Sequence, residues 1–558
     1  MTKLNQMLNT VYPSADALVD APPSFFSEPQ WIIFFSVSID NTQAKVRTGK
    51  GSTFREAWNK GVEELNQAFS TQMQNKPHIM LRVDVIDSVN HMTWSQLKEK
   101  FSVTKRNYFR YGISLDPDFT HAFLEQEINA NAVLYDGKSG VAFPNATNLK
   151  VFTRNRFSRT LSWPGSPDES IWTFRTRALF TDGENEYLVE AGGRHSGYRQ
   201  LVQWEEELPS VIKSATDYLA RQIKDSGEFH YGWFPCFDRA IPTYNTLRHA
   251  SSTYALLEGW EFYPVPSQFD AIGRSLRYLS DELIKTYTLP DGTEADFLTD
   301  LRDEIKLGGN AVSILAMAKY TEITGDQQFV SQMQRLARGI RHMQDPVDGS
   351  FVHVLNSGDL SLKDAHRIIY YDGEAVFALM RLYAITEEPF LLDIVKKAVD
   401  CFIEKEHWKA HDHWLSYCIN ELTQYCAEER YYRFGLDNIK GYLGFIRDRI
   451  TTFPTLLELI MAARKMVDRL EQSEFSYLLD DFDYVKFNEA LESRARNLLD
   501  GFYWPEIAMY FKNPARISGS FFIRHHSYRV RIDDVEHYLS GYVAYYNYIR
   551  DKKKGCER

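Results

Sequence analysis

Cysteine is scarce in this chain, basic runs are nearly missing and long apolar runs are absent, and each shortage removes a class of protein. Cysteine stands only at 236, 401, 418, 426 and 556. The number is odd and no Cys-x-x-Cys pair occurs, so neither a disulfide framework nor a zinc knuckle is expected. The formal net charge is −11, and Lys552, Lys553 and Lys554 form the one basic tract. Nucleic acid is therefore not an expected partner. No uninterrupted apolar stretch reaches the roughly 18 residues of a membrane span. Met1 to Asp20 is polar and has no apolar run behind a basic start, so no secretory signal is read and a cytoplasmic location is expected. Neither a phosphate loop nor a dinucleotide fingerprint occurs, and no cofactor is implied.

What is present is length and aromatic content. The 558 residues exceed one ordinary core, which points to two or three domains. Aromatics make up 14%, with 32 Tyr and 11 Trp. They fit large cores, and they equally fit stacking platforms for the flat faces of sugar rings.

Residues 1–165 read as a small mixed α/β accessory domain. The run Trp31 to Ile39 is a buried strand by composition, with Lys45 to Thr48 as its hairpin partner. Thr53 with Glu56 forms a capping-box pattern that starts a helix. His78 to Asp87 reads as another strand, and Asp116-Pro-Asp118 as the turn before a helix over Ala122 to Asn131. Residues 166–206 read as a β-hairpin connector turning at Asp182-Gly183. The loop Gly192-Gly193-Arg194-His195 can be an anion site or a tight turn with a solvated arginine.

From about residue 207 strands give way to helices in pairs. The expected pairs are Leu208–Asp225 with Arg248–Phe262, Ser267–Tyr287 with Gly309–Ile323, and Gln328–Gln344 with Gly373–Ile385. The remaining three are Pro389–Glu404 with His413–Cys426, Asp437–Arg449 with Pro454–Val467, and Val485–Leu499 with Asp533–Ile549. A repeated helix pair signals a repeat architecture. The second helix of each pair is the more apolar: residues 311–318 and 375–380 are apolar nearly all round, as a helix buried on most faces must be. Six such helices inside six more charged ones close into an all-α (α/α)6 toroid over 207–551, with 552–558 as a tail. The linkers into the inner helices are long in four pairs and carry Trp, Tyr, Arg, Asp and His, which favours function. They converge where the inner helices present their positive dipole ends.

The segments Leu307 to Asp326 and Tyr370 to Tyr383 resemble inner helices of the six-hairpin, or (α/α)6-toroid, carbohydrate-processing enzymes. That superfamily includes unsaturated glucuronyl hydrolases, sugar 2-epimerases and the C-terminal domain of glucuronyl C5-epimerases. The resemblance covers the helical part of the chain. It implies the toroid fold and a sugar or glycan ligand, and it does not fix the reaction.

The hairpin pattern nominates the residues at the mouth. Glycosyl transfer needs a protonated and an ionised carboxyl group, and Asp372 and Glu374, then Asp533, are the first candidates. Asp372 and Asp533 read equally well as helix N-caps. His249, His413 and His537 stand at similar places on three inner helices, and each also reads as a buried structural histidine. In a sugar epimerase, histidines at such places exchange a proton beside a carbonyl. Arg248, Arg367 and Arg531 can clamp a carboxylate or phosphate, or pair with nearby aspartates. Trp233, Trp414 and Tyr371 supply aromatic faces, and Asn310 and Asp412 further polar groups. His411-Asp-His413 and His525-His526 lack helical metal-ligand spacing, so no metal is expected. The reading is an enzyme acting on a sugar or uronate-containing glycan as hydrolase or epimerase. The alternative is a non-catalytic glycan- or peptide-binding scaffold of a polysaccharide biosynthesis or assembly pathway. In either case the N-terminal domain is free to dock a protein partner.

Overall fold

The computed structural model describes residues 3–69, 78–301 and 303–556. The last two positions of the expected tail, 557 and 558, lie outside the described residues. The chain forms two compact units. The first comprises Met1–Gln203 with Trp233–Arg239 and Asp500–Val530, and the second comprises Trp204–Gly232, Ala240–Leu499 and Arg531–Arg558.

The first unit is built on a seven-stranded antiparallel sheet. Its strands are β1 (Trp31–Ile39), β2 (Lys45–Gly51), β3 (Ile79–Thr93), β4 (Gly112–Ser114), β5 (Ala122–Phe123), β6 (Ser170–Thr181) and β7 (Glu186–Val189). The order is β2-β1-β3-β6-β4-β5, with β7 also on β6. β1 is apolar nearly throughout and is buried on both faces, as its composition requires. Helices α1 (Lys3–Asp16) and α2 (Phe54–Phe69) share its core through Leu4, Leu8, Trp58 and Leu65. Helices α3 (Trp94–Val103), α4 (Glu125–Ala130) and α5 (Ala146–Phe157) close a second core around Leu97, Phe101, Ile128, Leu149 and Phe152.

Three expectations for this unit change. The boundary at 165/166 cuts through the sheet: β6 pairs with β3 from Leu81↔Thr181 to Thr93↔Ser170. Without it β3 would present a long unpaired edge. The helix expected over Ala122 to Asn131 is confined to α4, because Ile113↔Phe123 pairing draws the preceding residues into β5. At α2 the Thr53 hydroxyl accepts the Glu56 N–H at 3.2 Å as expected, but the Glu56 carboxylate reaches back to the Ser52 N–H at 2.9 Å.

The unit also includes a late return of the chain, with the short helices Pro505–Ala508 and Pro514–Ile517. Arg199 donates to both oxygens of Glu506 at 3.0 and 2.7 Å. Tyr510 donates its hydroxyl hydrogen to Ser36 on β1 at 2.8 Å.

The second unit is helical. Its helices are α6 (Leu208–Gln222), α7 (Thr246–Phe262), α8 (Pro266–Arg277), α9 (Leu307–Thr324), α10 (Val330–His342), α11 (Tyr370–Thr386), α12 (Pro389–Glu404), α13 (His413–Tyr425), α14 (Glu429–Lys440), α15 (Leu443–Asp448), α16 (Thr455–Glu471), α17 (Tyr484–Leu498) and α18 (Ile532–Cys556). Six of them pack in a circuit: α7 on α9, α9 on α11, α11 on α13, α13 on α16, α16 on α18 and α18 back on α7. These are the helices read as the inner, apolar members of each pair. The charged helices pack against them, as α10 does on α9 and α12 on α11. Close approach explains one glycine: a Cβ at Gly373 would lie 2.6 Å from the Trp414 backbone, so α11 and α13 meet there without a side chain between them.

The helix expected over Ser267–Tyr287 is α-helical to Arg277 and π-helical over Tyr278–Leu283, and stops there because the β-branched run after it pairs as a strand, Ile284–Thr288. That strand opens a five-stranded antiparallel sheet built from linkers, continuing through Glu294–Asp300, Glu304–Lys306, Val354–Asn356 and Leu362–Asp364. The outer helix expected over Asp437–Arg449 begins earlier, at Glu429, and breaks between α14 and α15.

Candidate functional site

The N-terminal turns of α7, α11, α13, α16 and α18 bring a group of ionisable side chains together. On α13, Asp412 caps the helix: its Oδ1 accepts the Trp414 and Leu415 N–H groups at 3.0 and 3.4 Å. Asn438 holds Asp412 in place, accepting its N–H and donating to its carbonyl. The other carboxylate oxygen lies 3.0 Å from His413 Nδ1. An ionised carboxylate can only accept, so Nδ1 carries a hydrogen, and Nε2 is a bare base once the ring has lost its second proton. Nε2 is buried and has no hydrogen-bond partner. Burial opposes the charged imidazolium, but Asp412 and Glu458 outweigh it and raise the His413 pKa.

His537 of α18 faces His413 edge to face, with ring centroids 5.4 Å apart. Its Nδ1 is 2.8 Å from Glu458 Oε2 on α16. Burial pushes Glu458 up to about 8 and His537 down to about 4. Near neutral pH the carboxyl therefore holds the proton and donates it to Nδ1, which places the other imidazole hydrogen on Nε2. That nitrogen stands 3.8 Å from Glu536 Oε1. Glu536 itself accepts from the Ser251 and Ser252 hydroxyls of α7 at 2.6 and 2.9 Å. Tyr417 closes the group, its hydroxyl 3.3 Å from Glu458 Oε1. The two histidines thus present complementary states once the His413 ring is neutral, a bare nitrogen on His413 and an N–H on His537.

A cationic corner adjoins them. Arg248 Nε lies 3.5 Å from Asp533 Oδ2, and Arg531 Nη2 lies 2.8 Å from the same oxygen. The second Asp533 oxygen is buried without a hydrogen-bond partner. Glu374, one turn into α11, also has an unpartnered buried oxygen. Burial pushes it up to about 8 against the pull of Arg248, with Asp412 and Asp372 adding to the rise. Gly308 makes room for it: a Cβ there would lie 1.9 Å from Glu374 Oε2.

Other expected residues serve the scaffold. His249 is fully buried between α7 and α8, bonded to the Tyr244 hydroxyl at 2.8 Å and the Ser275 carbonyl at 3.0 Å. Burial pushes it down to about 4. Asp372 accepts from His353 Nε2 at 3.1 Å, and His353 Nδ1 accepts the Arg367 N–H at 2.9 Å, so this histidine is used on both sides. The Arg367 side chain pairs with Glu304 and Asp364. Asn310 accepts the Leu298 N–H at 2.7 Å. Trp414 is buried beside Phe377 and Tyr417, and Tyr371 lies against His353. Trp233 belongs to the first unit, with the Arg516 guanidinium 4.1 Å above its ring.

Glu458 and Glu536 escape the sequence reading. Glu458 sits inside Leu-Leu-Glu-Leu-Ile-Met, and a lone carboxylate in an apolar inner helix was the available signal. One ligand atom each of His413, Glu458 and His537 lie within 4.8 Å of one another, as do those of His353, His366 and Asp372. The first group has the donor types of a transition-metal site and one uncommitted nitrogen; the second has its inner histidine fully engaged.

No protein-family pattern and no curated protein matches the chain. Solved structures similar to it include a cellobiose 2-epimerase from Bacillus thermoamylovorans B4167, with 10% identity, 62% of this chain and 100% of that chain covered, and a TM-score of 0.46. A D-mannose isomerase has 10% identity, covers 62% of this chain and 99% of its own, and gives 0.46. A GH76 α-mannanase from Bacteroides thetaiotaomicron has 10% identity, covers 62% and 87%, and gives 0.31.

Proposed function

We propose that the circuit of six inner helices is an (α/α)6 toroid and that its centre moves a proton at the carbon beside the carbonyl of an open-chain sugar. The enzyme is then a sugar epimerase or aldose–ketose isomerase. The observation that carries this reading is the facing pair of histidines in complementary states. His413 Nε2 takes the proton from the carbon, and Asp412 stabilises the imidazolium that forms. The electron pair moves onto the carbonyl oxygen, which Arg248 is placed to stabilise. His537 Nε2 returns a proton, with Glu458 resupplying it through Nδ1. Return to the same carbon from the opposite face gives the epimer. Return to the neighbouring carbon, with the hydroxyl proton of O2 passing to the oxyanion on O1, gives the isomer. General acid–base groups of this kind contribute about 10²–10⁴-fold in rate.

The test is incubation of the full chain with reducing mono- and disaccharides in heavy water, read by nuclear magnetic resonance. The expected result is deuterium at the carbon next to the carbonyl, together with a new sugar. A second reading has its own support: Glu374 keeps a proton to about pH 8, while Asp533 has an unpartnered oxygen beside Arg248. An acid and a carboxylate of this kind suit glycoside hydrolysis. Cleavage of a glycosidic bond without deuterium exchange would replace the first reading by the second.

A further inference from the structure

A second cleft lies wholly within the first unit and holds about 480 Å³. Its walls come from Lys100 and Val103 of α3, from Tyr108 to Tyr111, from Arg175 on β6 and from the loop at Gly192 and Gly193. The lining holds three cations and no carboxylate, on a chain whose net charge is −11. Arg110 is already engaged, donating to Glu125 at 2.8 Å and to the Ser196 carbonyl. Lys100 and Arg175 are exposed and make no ion pair among the described residues. The Arg175 guanidinium donates to the Tyr111 hydroxyl at 2.9 Å and lies 4.8 Å from the centre of its ring. The nearest acids line adjoining cavities, Glu99 next to Lys100 and Val103, and Glu125 and Glu190 on the other side of Arg110 and Arg175.

Two further features concern shape. Val103 is 81% exposed at the lip, beside the partly exposed rings of Tyr108 and Tyr111. Gly192 has an ordinary φ, and a Cβ built on it meets nothing within 4 Å. The fold makes no demand for glycine there, yet its absence of a side chain keeps the cleft open to a ligand approaching the backbone.

The geometry points to this cleft as a binding site for an acidic saccharide chain. A carboxylate of the sugar bridges Lys100 and Arg175, and its apolar ring face lies on Tyr111 and Val103. The site is independent of the reaction assigned to the helical unit. It is tested by calorimetric titration of the full chain with a galacturonate hexamer, with neutral cellohexaose and with inorganic phosphate. The hexamer is expected to bind, more weakly as salt rises, and to lose at least about ten-fold in affinity in Lys100→Ala/Arg175→Ala and in Gly192→Glu. The last variant adds an acid where the structure leaves room. His413→Ala is expected to bind the hexamer as the unaltered chain does. The inference is overturned if the hexamer does not bind, if both cleft variants bind it normally, or if cellohexaose or phosphate binds as tightly. It is equally overturned if His413→Ala abolishes the binding, which would assign the hexamer to the helical unit.

Discussion

Two ion pairs of the first unit and a cluster of the second treat buried charge in opposite ways. In the first, Arg82 gives two bonds to Asp84 at 2.9 Å, with 1% and 0% of the side chains exposed, and Arg199 does the same with Glu506. Each charge is spent on its partner, and the pairs fix strands and the returning segment. In the second, His413, Glu374 and Asp533 each keep one buried atom unbonded, and two carboxyls are pushed up to about 8. A buried polar atom without a partner costs about 1–3 kcal/mol. Three of them lie near the N-terminal turns of inner helices, where they cost the fold stability and suit the proton transfer proposed above.

The contrast is broken most sharply at His413. His413→Ala is expected to cut turnover by about 10²–10⁴-fold with little change in melting temperature; a large loss of stability instead would make this histidine structural, like His249. Glu506→Ala should show the reverse. It removes the carboxylate to which buried Arg199 donates two hydrogen bonds, at a cost of about 3–5 kcal/mol, visible in denaturant unfolding of the first unit, while any residual folded protein keeps its turnover number. Glu458→Gln sharpens the comparison through pH. Activity should rise through the elevated pKa of His413 as the base becomes free, and fall again near pH 8 as Glu458 loses its proton. The variant should keep the acid limb and lose the basic one. Chelation with EDTA separates proton transfer from a metal at His413, Glu458 and His537: activity should survive dialysis, and its loss with recovery on added zinc would assign those residues to the ion.

A separate test concerns Glu374. Its folded pKa of about 8 exceeds the ordinary 4.5, so the folded chain binds a proton there that the unfolded chain releases. This contribution to stability is complete below about pH 4.5 and is lost as pH rises through 8. Glu374→Gln should flatten that part of the melting-temperature profile, and an unchanged slope would show that the carboxyl is ionised in the folded protein.

The helical half was the more legible part of the chain. Stretches such as residues 311–318 leave no polar face, so a helix there must be surrounded, and all six inner helices fall where the pairing placed them. The charged helices and linkers were less so, because Ile284–Thr288 takes its conformation from hairpin pairing with Glu294–Leu298 and not from the helical pattern before it. The grouping of Arg248, Asp412, His413, Asp533 and His537 near one another was readable from their position at helix starts. Glu458 was not, since it stands inside a helix where composition shows only an apolar run, and Glu536 was passed over among the acidic residues that open α18. His249 was misplaced because a helical turn rotates successive residues by about 100°, so Arg248 and its neighbour cannot face the same way. The return of Asp500–Val530 to the first unit has no local signature at all.

That return has a temporal consequence. Ribosomal synthesis runs from the amino end, yet Arg82 and Arg199 must wait some three hundred residues or more for Glu506 to be translated. The sheet cannot complete its interior until nearly the whole polypeptide has emerged, so the first unit to be made is among the last to mature. A gene truncated after residue 203 should accordingly yield aggregation-prone material rather than a free-standing module.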